Sequence, residues 1–154
     1  MRPEEIMRPL NLPKVPLKLT RKDGVVYVWD AFRKKQLVLT PEEWVRQHIL
    51  LAMVNHAEYP LHLISAEHAL NINGLTRRCD GVVFKDGKPV LIVECKAPHI
   101  PLDEKVMHQV AQYNFKLQVD YLLLTNGLQT IVCKINAAEQ KLEYIQNIPK
   151  FSTL

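Results

Sequence analysis

Residues 90–96, Val90-Leu91-Ile92-Val93-Glu94-Cys95-Lys96, are apolar until the last three positions. A short continuous run of this kind predicts a strand buried on both faces. Alternation along it puts Glu94 and Lys96 on one face, roughly 6–7 Å apart, and Leu91, Val93 and Cys95 on the other. A carboxylate and an ammonium thus emerge together from a dry strand, where charges are costly unless paired or bound to a metal. The competing reading is a surface ion pair at a strand end, worth little. The apolar run ahead of the charges argues against it.

Asp80 lies on the preceding run, where Arg78, Asp80, Val82 and Phe84 alternate with Cys79, Gly81 and Val83. Whether it meets Glu94 is a question of parity. A clean two-residue turn at Asp86-Gly87 sends the two acids to opposite faces. A three-residue loop, Lys85-Asp86-Gly87, with Gly87 left-handed beside a bulge, sets Asp80 against Ile92 and diagonal to Glu94, within about 7–8 Å. An odd loop, or an equivalent bulge, is therefore expected. Two carboxylates and a lysine so placed suit phosphodiester hydrolysis. Asp80 and Glu94 would bind Mg²⁺ or Mn²⁺, the metals that oxygen ligands favour. Lys96 would orient or deprotonate the attacking water, or stabilise developing negative charge.

Outward from this pair, the chain alternates helices and strands. Thr40 is a good N-cap, Pro41 suits the first helical position, and Glu43 completes an S/T-x-x-E capping box, predicting a helix to about His56. A second helix is predicted over Asp103–Leu117, with Leu102, Val106, Val110, Tyr113 and Leu117 as its apolar stripe. Strand-like runs cover residues 63–71, 77–85, 88–97, 121–125, 129–135 and 142–148, with Asn126-Gly127 read as a hairpin turn. Residues 17–29 read as a hairpin turning at Lys22-Asp23-Gly24, and 36–39 as another short strand. Four prolines in residues 1–16 predict an extended arm that needs a surface to lie on. The expected fold is α/β, a mixed β-sheet flanked by helices with an N-terminal β-hairpin arm. The expected organisation is a single domain over 40–154, with residues 1–39 packed on it.

The 154 residues carry a net charge of +4, and its distribution matters more than its size. Residues 1–40 hold nine Lys/Arg against four acids, a balance of +5, while the remainder balances at −1. A basic arm of this kind suits phosphates in a salt-dependent way, though a solvated surface reads equally well. No apolar run approaches the ~18 residues of a membrane span and no secretory signal opens the chain, so a cytoplasmic location is expected. Cys79, Cys95 and Cys133 lack zinc spacing and cannot all pair, so they read as buried strand residues.

Asp80, thirteen intervening residues and Glu94-Cys95-Lys96 resemble the D-x(n)-E-x-K core of PD-(D/E)XK nucleases. More closely, the chain resembles the N-terminal nuclease domain of type I restriction enzyme R proteins. That likeness rests on residues 39–47 (Leu39-Thr40-Pro41-Glu42-Glu43-Trp44-Val45-Arg46-Gln47), Arg78-Cys79-Asp80, and 93–98 (Val93-Glu94-Cys95-Lys96-Ala97-Pro98). It rests further on Gln109-Val110-Ala111-Gln112-Tyr113, matching the family's QxxxY motif, and on Tyr121–Gly127. Cys79 stands where the motif's name has proline. The resemblance implies a restriction-endonuclease-like fold, Mg²⁺-dependent cleavage of DNA, and Gln109 and Tyr113 supporting the active site. It also implies helicase or specificity subunits as partners. The R proteins continue into helicase motors, which this sequence does not contain, so translocation by this chain is not expected. A homodimer is compatible with cutting two strands.

The remaining candidates each carry two readings. Glu43 is explained by the capping box, while the resemblance makes it a third metal ligand. Arg46 would meet a phosphate or pair with Glu42 or Glu43. Gln109, read on the inward side of its helix with Val106 and Tyr113, needs a hydrogen-bond partner. Arg77 and Arg78 would guide the phosphate backbone, and Arg33-Lys34-Lys35 is either a nucleic-acid patch or a solvated turn. The alternative to a nuclease is a non-catalytic DNA-binding or assembly module of a restriction or repair complex.

Overall fold

A computed structural model describes residues 1–154. The two long helices begin where capping chemistry places them. Thr40 Oγ1 accepts the Glu43 N–H at 3.1 Å and opens α2 (Pro41–Ala57), which closes at Glu58 in a left-handed conformation. Asp103 Oδ1 accepts the Val106 N–H at 3.0 Å and opens α3 (Glu104–Leu117). Both caps satisfy backbone donors that the helix itself leaves unpaired.

Nine strands form two sheets. The smaller is antiparallel: β1 (Leu19–Lys22), β2 (Val25–Asp30) and β3 (Lys35–Val38), so the predicted hairpin gains a third strand. The larger holds β4 (Ile64–Ile72), β5 (Leu75–Lys85), β6 (Lys88–Cys95), β7 (Tyr121–Thr125), β8 (Thr130–Asn136) and β9 (Lys141–Ile145) in chain order. Only β6 and β7 are parallel, because α3 crosses over between them. The fold is thus mixed α/β, a six-stranded sheet between two helices, as the sequence indicated. On one face Val45, Ile49, Leu50 and Met53 of α2 pack on Val83, Leu91, Val93 and Leu123. On the other, Val110 and Leu117 of α3 pack on Val82, Ile92, Leu122 and Leu124. Each such fully buried side chain contributes about 1.5–3 kcal/mol.

The parity between β5 and β6 is set by a bulge. Asp86 (φ 53°) and Gly87 (φ 77°) make an even, two-residue turn, with Lys85 opposite Lys88 and Phe84 opposite Pro89. Val83 then faces Leu91, so Val90 is an extra residue on β6. The three-residue loop is therefore corrected to a tight turn plus the equivalent bulge. Val82, not Asp80, faces Ile92, and the register runs through Gly81 opposite Val93 toward Asp80 and Glu94.

Two other local expectations are corrected. Residues 1–16 are not wholly extended, since Pro3–Ile6 form one helical turn, α1. The arm finds its surface on the β7–β8 connection: the Asn11 N–H donates to Gly127 O at 2.7 Å, and Leu10 and Leu12 pack against the α2-side core. The β7–β8 connection is longer than the expected Asn126-Gly127 turn. Asn126 Oδ1 accepts the N–H groups of Leu128 (2.9 Å) and Gln129 (2.8 Å), organising a four-residue loop over 126–129. Asx side chains favour such turns because they replace a backbone acceptor.

At Gly81, α2 lies close against the sheet. A Cβ there would lie 2.9 Å from Leu50 Cδ2 and 3.3 Å from Val93 Cβ. Gly81→Ala is expected to destabilise the fold by about 1–3 kcal/mol through overpacking, read as a lower urea midpoint at unchanged slope. Adding Leu50→Val should recover part of the loss, and an unchanged midpoint in the single variant would show that the helix is free to move away.

Candidate active site

The sheet's regular pairing breaks between β4, β5 and β6 where the acids lie. Along β4 and β5, Ala66 faces Gly81 and His68 faces Cys79, leaving Glu67 and Asp80 as the unmatched residues between. Glu67 has φ 51°, a left-handed conformation in mid-strand. Across β5 and β6 the ladder stops at Gly81 and Val93, and beyond it the Asp80 side chain takes over: Oδ2 accepts the Cys95 N–H at 2.7 Å. Asp80 is thereby fixed beside the end of the Glu94 strand.

Two arginines hold these acids, one from α2 and one from β5. Arg46 of α2 donates through Nη2 to Asp80 Oδ1 at 2.6 Å and through Nη1 to Glu43 Oε1, and its Nη2 also lies 2.5 Å from Glu67 Oε1 in an ion pair. Arg77 of β5 donates to Glu94 Oε1 from Nε (3.0 Å) and Nη2 (2.7 Å), and lies 4.3 Å over the Tyr113 ring of α3. A second tier extends the Arg46 cluster. Arg33 donates to Asp30 (2.5 Å) and Glu43 (2.8 Å), and Gln47 donates to Asp30 (3.0 Å) and Glu43 (3.2 Å). Arg78 donates to Glu67 Oε2 at 2.6 Å.

Burial and charge act in opposition here. Burial pushes the Glu94 carboxyl up, Arg77 pulls it down, and the neighbouring Asp80 carboxylate adds to the rise, leaving it at about 7. Burial works against the Arg46 charge, but the Asp80 hydrogen bond and the carboxylates of Glu43, Asp80 and Glu67 outweigh it and hold the guanidinium charged. Glu67 is likewise held below the ordinary range despite its burial, by Arg78 and Arg46. The buried Cys95 thiol is pushed up by desolvation, and the carboxylates nearby add to the rise, so it is an inert neighbour.

Set against the sequence candidates, the structure gathers Asp80, Glu94, Arg46, Glu43 and Arg77 into one neighbourhood. Glu43 does not close a capping box: its carboxylate points to Arg33, Arg46 and Gln47, while Thr40 caps alone. Nor do Glu43, Asp80 and Glu94 converge directly, since Arg46 bridges the first two, and no three Asp, Glu, His or Cys side chains are arranged to share a metal. Lys96 follows Cys95 out of the strand, half-buried; its N–H donates to Thr125 O at 2.9 Å and its ammonium makes no ion pair. Gln109 is not inward. It is exposed, while Val110, Ala111, Asn114 and Leu117 form the buried side of α3. Tyr113 is 45% exposed and supports Arg77 rather than the core. Arg33 is neither a free patch nor a solvated turn, whereas Lys34, Lys35 and Arg78 face solvent.

Sequence reasoning missed Glu67, Asp30 and Gln47. Asp30 had a signal, a carboxylate closing the apolar run Val25–Trp29, and it is fully buried. Glu67 had none, because a left-handed residue inside a strand has no pattern to betray it.

Fold and site together define a mixed α/β protein with a cluster of carboxylates and arginines at the end of its central strands. Residues 41–149 match the family model described as type I restriction enzyme R protein N terminus, and the chain belongs to that family. No curated protein matches the sequence significantly. No helix is long and apolar enough to cross a membrane.

The Glu94 environment has a measurable signature. Its folded pKa of about 7 lies above the ordinary 4.5, so the folded state gains stability below pH 4.5 and loses it as pH rises to about 7. Glu94→Gln mimics the protonated form, so above pH 7 the variant should be more stable than the native chain by up to about 3 kcal/mol, and below pH 4.5 nearly equal to it. Urea titrations at pH 4.5 and 8 read this directly. Parallel pH profiles for the two proteins would show that Glu94 titrates normally.

Proposed function

We propose that this chain is a Mg²⁺-dependent DNA endonuclease module of the restriction type, with Asp80 and Glu94 holding the metal and Lys96 serving the nucleophile. The observation that carries the reading is the Asp80–Glu94 pair. Two carboxylates from adjacent strands sit together in a family named for restriction enzyme R proteins, and an ammonium without an ion pair lies two residues beyond. The donor chemistry fits a hard divalent cation: both groups offer oxygen, and Glu94 Oε2 takes no hydrogen bond. Burial and the neighbouring Asp80 carboxylate raise the Glu94 carboxyl to about 7, and a bound cation would offset both.

When bound, the metal supplies a Lewis acid for the phosphoryl oxygen and a water of lowered pKa. The chain's residues supply the rest. Asp80 is oriented by the Cys95 N–H, and Glu94 by Arg77, whose guanidinium is braced on the Tyr113 ring. Lys96, free of ion pairs, donates to the attacking water or to the phosphoryl oxygen that gains charge. Tyr113 keeps a supporting role through Arg77, and Gln109 is exposed on the same helix, one turn earlier. Lys34 and Lys35 are exposed cations that would meet the backbone, as would Arg78, exposed although it pairs with Glu67. Other subunits of a restriction system would provide sequence choice, and a second copy would provide the second cut.

One feature favours a second reading, a non-catalytic DNA-binding or assembly module. Arg46 and Arg77 already neutralise Asp80 and Glu94, as they would in a site that never takes a metal. Plasmid nicking separates the two. The native chain should cut only with Mg²⁺ or Mn²⁺. Lys96→Ala should lose on the order of 100-fold or more in rate while retaining DNA affinity. Asp80→Asn should abolish cutting. Metal-independent DNA binding without cleavage at any Mg²⁺ or Mn²⁺ concentration would establish the second reading instead.

A further inference from the structure

Glu67 has no part in the reading above, yet its placement is the least ordinary in the cluster. It occupies mid-β4 opposite Asp80 with φ 51°, a conformation that non-glycine residues keep only where their surroundings hold them. What holds Glu67 is charge: Oε1 lies 2.5 Å from Arg46 Nη2 in an ion pair, and Oε2 accepts from Arg78 Nε at 2.6 Å. The left-handed turn thus directs a strand residue's carboxylate at an arginine of α2.

The same Arg46 nitrogen donates to Asp80 Oδ1 at 2.6 Å. One Nη2 is therefore divided between Glu67 and Asp80, while Nη1 goes to Glu43 and Nε is buried without a partner. Arg46 is placed by competition among three carboxylates rather than by a matched pair. Each acid that draws on the guanidinium weakens its hold on the others.

We propose that Glu67 is a positioning residue that draws Arg46 Nη2 away from Asp80 and so leaves the Asp80 carboxylate able to take a divalent cation. This rests on the assignment of Asp80 and Glu94 as metal ligands. With a neutral group at position 67, Arg46 has only Glu43 and Asp80 to serve. The Arg46–Asp80 pair tightens, and a cation must displace it.

The test is Mn²⁺ binding by calorimetry on the full chain without DNA, with Mn²⁺-dependent nicking run in parallel. Glu67→Gln is expected to weaken Mn²⁺ binding on the order of 10-fold to 100-fold, the usual cost of losing a group that tunes a ligand. Glu67→Asn should do the same, and it keeps the result readable if the glutamine variant does not fold, since asparagine tolerates the left-handed conformation. In an Arg46→Lys background, which removes the guanidinium fork, adding Glu67→Gln should weaken Mn²⁺ binding by less than about threefold. Folded position-67 variants that bind Mn²⁺ within about twofold of the native chain would overturn the proposal. So would an undiminished loss in the Arg46→Lys background, which would reduce Glu67 to a source of general negative field. A native chain that neither binds Mn²⁺ nor nicks DNA overturns the ligand assignment itself, and this proposal with it.

Discussion

The three-way sharing of Arg46 is the constraint around which this structure is organised. Arg46 is 5% exposed and joins α2 to β4 through Glu67 and to β5 through Asp80. Taking a charge out of water costs several kcal/mol per ion unless partners compensate. No member of the cluster is therefore independent of the rest. Through Glu43 the same network continues to Arg33, Gln47 and Asp30, so the small N-terminal sheet is joined to α2 by ion pairs as well as by apolar contact. The apolar face of α2 fixes how close the helix lies to the sheet, and the charged residues at its N-terminal end fix its rotation.

The opposite layer contributes a smaller counterpart. Arg77 holds Glu94 and rests on Tyr113, an aromatic side chain that α3 presents near the surface. Two acids on neighbouring strands are thus held by arginines, one borne by α2 and the other braced by α3. Under the proposed function, a metal entering this site exchanges one set of ion pairs for another rather than filling an empty cage. Strand geometry alone could not have placed Asp80. It leaves the ladder to accept the Cys95 N–H, and that departure depends on the irregular β4–β5 pairing at Glu67.

Much of the fold was legible because local chemistry and global packing agree. Thr40 and Asp103 mark helix starts, the dry run to Val93 marks the central strand, and alternation marks the rest. The bulge was legible as a requirement of parity, and Pro89, which cannot donate to a ladder, stands immediately before the extra residue Val90. The acids and Lys96 were visible by spacing. Their partners were not, because an arginine's reach spans several positions and its choice among Glu43, Glu67 and Asp80 is settled only in three dimensions. The same limit explains Glu43, whose capping pattern concealed an inward carboxylate, and Gln109, whose side of the helix was misplaced by counting Tyr113 as core.

The docked arm carries a temporal consequence. The hydrogen bond from the Asn11 side chain to Leu128 O spans 117 residues, and Leu10 lies where a Cβ on Gly127 would come within 2.7 Å of it. During synthesis the arm leaves the ribosome long before the loop that receives it exists. Until β7 and β8 pair, Leu10 lacks its contact with the loop over 126–129, so these two strands close over a segment made well before them.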